Sequence, residues 1–114
     1  MAISARAITP AFFVAPQLSP QDVAEAAAQG FKSILNNRPD HEGGAEQPLS
    51  STIEAAAQAA GLAYVHLPVV SGAYTAEQVQ AMHKALQALP APVLAFCRSG
   101  MRAGQMFELA QTVR

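Results

Sequence analysis

A second cysteine is missing from this chain, since Cys97 is the only one among 114 residues. No internal disulfide can form, no second thiol can resolve a mixed disulfide, and a four-ligand zinc site built on cysteines is excluded. Any thiol partner has to come from outside. An excess of charge of either sign is also lacking. Seven Lys and Arg face eight Asp and Glu, for a formal net charge of -1 with no basic run. That balance gives no electrostatic footprint for nucleic acid or an anionic membrane. No window reaches the roughly 18 apolar residues of a membrane span, and the N-terminus lacks a charged segment followed by a long apolar stretch, so a cytoplasmic location is expected.

What is present is apolar material in short pieces. Hydrophobic residues make up 51% of the chain, enough for the core of one compact domain over residues 1–114. Ile8 to Val14, with Phe12 and Phe13, reads as a buried strand, which Pro10 moves toward an edge or a late start. Ser19-Pro20-Gln21-Asp22 then supplies an N-cap, a proline at the first helical position and an acid three residues after the cap, and the helix should end near Gly30. Phe31 to Leu35 is the next strand, and Asn36 to Gly44 is the longest loop. Ser51-Thr52-Ile53-Glu54 reads as a second capping box before an alanine-rich helix that stops at Gly61, and Leu62 to Leu67 is a third apolar run.

A third helix opens at Thr75, carries a stripe of Val79, Met82, Leu86 and Leu89, and stops before Pro90. Val93 to Phe96 is continuously apolar and suits a central strand covered on both faces. A closing helix over residues 102–113 places Met106, Leu109 and Ala110 on one face. This alternation predicts an α/β domain: a mostly parallel sheet flanked by helices in three layers. Ligands of such sheets bind outside the carboxyl ends of the strands, where residues 36–44, 68–74 and 97–102 should meet.

Cys97 follows the central strand and opens Cys97-Arg98-Ser99-Gly100-Met101-Arg102. Between a strand end and a helix start, backbone N–H groups and the helix dipole favour an anion, and the same field favours thiolate over thiol. Arg98 and Arg102 add charge, Gly100 permits the turn that aims successive amides at one point, and Ser99 offers a hydroxyl to the sulfur. A lone buried cysteine is commonly structural. Arg-Ser-Gly-Met-Arg, however, is poor core material, which favours a catalytic thiolate.

With Ser19-Pro20-Gln21-Asp22, Gln29-Gly30-Phe31-Lys32, Asn37-Arg38-Pro39-Asp40, Tyr64-Val65-His66-Leu67-Pro68-Val69 and Phe96-Cys97-Arg98-Ser99-Gly100-Met101-Arg102 in this order and spacing, the sequence resembles a known family. That family is the small sulfurtransferases with a tyrosine-phosphatase-like fold, also called beta-lactamase-hydrolase-like proteins. The resemblance implies a tyrosine or dual-specificity phosphatase-like α/β fold, a nucleophile at Cys97 and a loop arginine at Arg102.

Cysteine phosphatases of this fold generally carry five residues between cysteine and arginine. Here four residues separate Cys97 from Arg102, and Ala103 stands where the arginine would be. A six-residue loop resembles that of rhodanese-type sulfurtransferases, whose fold differs, so the likeness is one of chemistry. Phosphoester cleavage also benefits from a general acid, and residues 66–74 hold no carboxylate. Asp40 is the stand-in acid, with a turn-forming role beside Pro39 as the favoured alternative. Arg38 is a candidate anion clamp, or a partner of Asp40 or Glu42. His66 and Tyr74 are candidate rim residues with structural alternatives, and His41 and His83 should face solvent. The three histidines form no metal-ligand spacing, so neither a metal nor a cofactor is expected.

The expected function is sulfur transfer: a Cys97 thiolate takes sulfane sulfur from thiosulfate or a small persulfide and passes it to a thiol or cyanide. Arg98, Arg102 and the amides of Ser99, Gly100, Met101 and Arg102 would hold the negative charge, and a separate sulfide-oxidising enzyme is a candidate partner. The alternatives are a cysteine-dependent phosphatase acting on aryl phosphates and a module that binds an anion or reactive sulfur without turnover.

Overall fold

A computed structural model of the chain describes residues 3–113. Five strands form one sheet: β1 (Arg6–Thr9), β2 (Phe12–Ala15), β3 (Ser33–Asn36), β4 (Ala63–His66) and β5 (Val93–Phe96), in the order β1-β2-β5-β3-β4. All pairs are parallel except β1 with β2. Helices α1 (Pro20–Ala28) and α2 (Ser50–Ala59) pack together on one face, and α3 (Ala76–Ala88) and α4 (Met101–Ala110) on the other. The expected three-layer α/β architecture, a mostly parallel sheet flanked by helices, is therefore the one observed.

Alternation along the central strands feeds both layers. Leu35, Val93, Ala95 and Cys97 turn toward Met82, Ala103, Met106 and Ala110, while Ile34, Leu94 and Phe96 turn toward Val23, Ala26, Ile53 and Ala57. Every residue of β3 and β5 is buried, so these two strands form the rigid floor on which the site is built. Truncating a side chain such as Phe96 or Leu94 would cost about 2–5 kcal/mol.

Local readings of the sequence hold at most helix ends. Ser19 Oγ accepts from the Asp22 amide at 3.1 Å and Asp22 Oδ2 accepts from the Ser19 amide at 2.9 Å, closing the capping box of α1. Thr75 and Gln78 close the same motif on α3.

Three expectations change. The first apolar run is not one strand: the chain turns at Pro10 and Ala11, and β1 folds back antiparallel on β2. A proline that cannot donate to the ladder serves better in the turn than in the strand. The second capping box does not form, because α2 starts at Ser50 with Leu49 as its cap residue. Its first amide, Ser50 N, donates instead to Asp40 Oδ1 at 2.7 Å. Finally, α4 starts at Met101, and Leu109 lies exposed while Met106 and Ala110 are buried.

Candidate active site

The parallel register brings four loops together at the carboxyl ends of β2, β5, β3 and β4. Cys97 sits at the end of the central strand, 1% exposed. The Gly100 amide donates to its Sγ at 3.1 Å. That contact requires the chain to reverse at Gly100, whose φ is +94°, and a Cβ there would stand 3.3 Å from the Ala15 backbone. Only glycine meets both conditions. Gly100 is also the cap residue of α4 and offers no side-chain acceptor, so the positive end of the helix is left to face the sulfur.

The rest of the loop divides by exposure. Arg102 is 7% exposed and Met101 is 65% exposed. Arg98 is exposed, and its carbonyl accepts from the Gln17 amide. The Ser99 hydroxyl, expected to serve the sulfur, instead accepts from the Met101 amide at 3.4 Å.

Arg102 makes the main long-range connection. Its Nη1 donates to Glu42 Oε2 and to the Val69 carbonyl, both at 2.9 Å, and its Nη2 donates to Glu42 Oε1 at 2.9 Å. Glu42 also accepts from Arg38 Nε at 2.9 Å, while Arg38 Nη1 donates to Gln17 Oε1 at 3.0 Å. Hydrogen bonds from Arg102, and then those from Arg38, pull the Glu42 carboxyl down to about 2 against an opposing push from desolvation. The same Glu42 contact raises Arg102 above its ordinary value. The end of the guanidinium faces Glu42 and Val69, and among the described residues its Nε–H has no protein acceptor.

The loop carrying Glu42 is braced rather than loose. His41 takes a left-handed turn with φ +70°, which turns Glu42 back toward the arginines. Gln47 accepts from the Gly43 amide at 2.6 Å and donates to the Pro39 carbonyl at 2.8 Å. Gly43 leaves room for Arg38, since a Cβ there would lie 2.7 Å from Arg38 Nη2.

The other named residues take supporting positions. Asp40 is bound to the start of α2, ten residues on, a role that is neither the acid nor the local turn former beside Pro39 expected from the sequence. The His66 Nε2–H donates to the Arg38 carbonyl at 2.9 Å, and Tyr74 donates to Gln105 Oε1 at 2.5 Å. Tyr74 packs against the α3–α4 core, and burial raises its hydroxyl above the ordinary value. Arg38 takes the pairing role rather than a free clamping one. Among the described residues no group of three His, Cys, Asp or Glu is placed to hold a metal ion, and no helix is long and apolar enough to cross a membrane.

Two residues escape the sequence reading. Glu42 was a possible partner of Arg38, but its bond to Arg102 spans 60 positions and leaves no local signal. Asn37 is fully buried, donating through its backbone to the Phe96 carbonyl and through Nδ2 to the Leu67 carbonyl, both at 2.9 Å. It locks β3 to β5 immediately before Cys97.

A parallel sheet that ends its central strand in a cysteine, a helix N-terminus beyond it and a buried loop arginine define a phosphatase-like α/β domain. The phosphatase-like domain of beta-lactamase hydrolase-like proteins matches residues 4–114, and the chain belongs to that family. A beta-lactamase hydrolase-like protein of Xylella fastidiosa (strain Temecula1) is 38% identical over 87 residues, covering 76% of this chain and 20% of its own length. Its counterpart in Agrobacterium fabrum is 36% identical over 92 residues, covering 81% and 21%. The chain thus spans about a fifth of the length of the curated relatives it matches.

Among solved structures, a candidate phosphatase from Neisseria meningitidis superposes with a TM-score of 0.81 at 29% identity, covering 89% of this chain and 71% of that one. P. aeruginosa TpbA, solved with phosphotyrosine, superposes with a TM-score of 0.67 at 20% identity, covering 91% and 59%. These likenesses support the phosphatase-like class. They lend nothing to the rhodanese-like assignment expected from the sequence, and by description they favour its phosphatase alternative.

Proposed function

We propose that this domain uses Cys97 as a covalent nucleophile and that the group it carries is sulfane sulfur. The observation that carries this reading is the state of the two carboxylates of the loop after β3. Glu42 is held ionised between Arg38 and Arg102, with its carboxyl lowered to about 2, and Asp40 is engaged by the Ser50 amide. Neither is poised to give a proton to a leaving alkoxide, the step for which a phosphatase needs an acid. Sulfur transfer has no such need. The Cys97 thiolate attacks the outer sulfur of thiosulfate or of a persulfide, the S–S bond breaks, and sulfite or a thiolate leaves with the electron pair. An acceptor thiolate or cyanide then takes the terminal sulfur and returns Cys97 as thiolate. The four-residue spacing of Cys97 and Arg102 suits a small terminal sulfur.

Phosphatase chemistry is the second reading, and the family description and structural relatives favour it. Aryl phosphates are its natural substrates here, because an aryl oxide leaves with little help from an acid.

Mass spectrometry after incubation with thiosulfate should show a gain of about 32 Da that Cys97→Ser abolishes, as thiolate attack requires. A side-by-side assay of nitrophenyl phosphate decides between the two. Cys97-dependent phosphate release without any sulfur adduct from thiosulfate or a small persulfide would overturn the proposal.

A further inference from the structure

The loop of residues 16–19 joins β2 to α1 and lies beside the cysteine loop. It is anchored along its length, because Ala15 and Leu18 are buried and Ser19 is the cap residue of α1. The Ala15 backbone lies against Gly100, where a Cβ would stand 3.3 Å from it. The turn that brings the Gly100 amide to the sulfur therefore rests on this segment. Half-buried within it is Gln17.

The backbone and the side chain of Gln17 reach two different loops. Its N–H donates to the Arg98 carbonyl at 3.3 Å. A trans peptide sets its C=O and N–H on opposite sides, so a carbonyl held toward Gln17 turns the following amide, that of Ser99, away from it. Rotated the other way, the same peptide would put an oxygen where the loop now offers donors. On the side chain, Nε2 donates to the Leu18 carbonyl at 2.9 Å and Oε1 accepts from Arg38 Nη1 at 3.0 Å. The first bond fixes which end of the amide faces Arg38. A guanidinium has donors only, and the oxygen is the end that can meet it. Glutamate would lack the donor, and asparagine is one methylene shorter.

These bonds close a ring around Cys97. It runs from Arg98 through Gln17 to Arg38, from Arg38 Nε to Glu42, and from Glu42 to Arg102, which lies in the helix start after the same cysteine. Among the described residues the Arg38 guanidinium bonds to Gln17 and Glu42 only. Without the Gln17 side chain it would turn freely about its bond to Glu42.

We propose that Gln17 is a positioning residue of the candidate site, which closes this ring and, through Arg38, fixes Glu42 and the loop arginine that Glu42 orients. Its effect on turnover rests on the sulfur-transfer reading, but its hold on Glu42 does not.

Gln17→Met keeps the backbone bond and the side-chain length and removes both polar ends. The Glu42 carboxyl, followed by carbon NMR, should titrate at about 2 in the wild type. In Gln17→Met it should titrate about one unit higher, since a loosened Arg38 favours the ionised form less. The thermal midpoint should stay at the wild-type value, and kcat for sulfur transfer should fall about fivefold with KM within about twofold. Because Gln17 acts through Arg38, adding Gln17→Met to Arg38→Met should move the Glu42 titration no further than Arg38→Met alone. An unchanged Glu42 titration in Gln17→Met overturns the proposal, with or without a fall in thermal midpoint. So do fully additive shifts in the double variant. The expected titration shift in a protein that forms no Cys97 persulfide would refute the sulfur-transfer reading and leave the role of Gln17 standing.

Discussion

The loops after β5 and β3 leave adjacent parallel strands at the same end of the sheet, yet they are built in opposite ways. Cys97 to Arg102 is shaped by backbone: a left-handed glycine, an amide on the sulfur and a helix start. Residues 37–49 are shaped by side chains: Glu42 between two arginines, Gln47 bridging two backbone groups and Asp40 on the start of α2. In the proposed reaction the first loop supplies the nucleophile and its field. The second supplies the carboxylate that orients the arginine. A site of this design should respond to substitution differently in its two halves.

The largest effect is expected at the residue that joins them. Arg102→Lys replaces a planar fork with a point donor and gives up the paired bonds to Glu42, so the transfer rate should fall roughly 100-fold. A drop of less than threefold in a steady-state assay would mean that the two loops act independently. Next comes Gly100→Ala, which forces a side chain into a left-handed conformation beside the Ala15 backbone. Urea unfolding should show a loss of about 1–3 kcal/mol, and a wild-type midpoint would contradict a backbone-built loop.

Glu42→Gln keeps the shape of the second loop and removes its charge, for an expected fall in rate of about tenfold. Its pH signature is specific. The folded carboxyl sits near 2 against an ordinary 4.5, so the ionised form is the one folding favours. Its contribution is complete above pH 4.5 and is lost as pH falls through about 2. The stability gap between wild type and Glu42→Gln, read by denaturant titration at several pH values, should close over that interval. A gap independent of pH would sever Glu42 from the arginines. The smallest effect on activity is expected at Asp40→Ala, which should cost about 1 kcal/mol of stability through its lost helix cap. Turnover should stay within about twofold. A large loss of turnover at unchanged stability would restore Asp40 as an acid.

The same contrast explains what could be read in advance. Most strands and the cap of α1 follow from patterns a few residues long: continuously apolar runs such as Val93 to Phe96, and Ser19 with Asp22. The cysteine loop is equally local, and its arginine, glycine and strand position were visible together. The hairpin at Pro10 was missed because Ile8 and Phe12 read as one apolar run unless the proline is given to a turn. The bond between Glu42 and Arg102 joins residues 60 positions apart, so no sequence window contains both partners, and Asp40 reaches Ser50 across a ten-residue irregular loop that carries no periodic pattern. The expectation of sulfur chemistry drew on spacing and on a missing acid, and the relatives speak only for the broader phosphatase-like class.

The placement of Cys97 on β5 also bears on how the site fails. A nucleophile at the end of a strand flanked on both sides moves only when the whole sheet opens, so its position is protected by the global stability of the domain. Glu42 sits on a loop braced by side-chain bonds rather than by the sheet, so a smaller opening frees it than the one that frees Cys97. In hydrogen exchange, the amides of β5 should therefore report whole-domain unfolding, and those around Gly43 should exchange well before it. Mild heating would release the arginine from its partner while the sulfur is still in place.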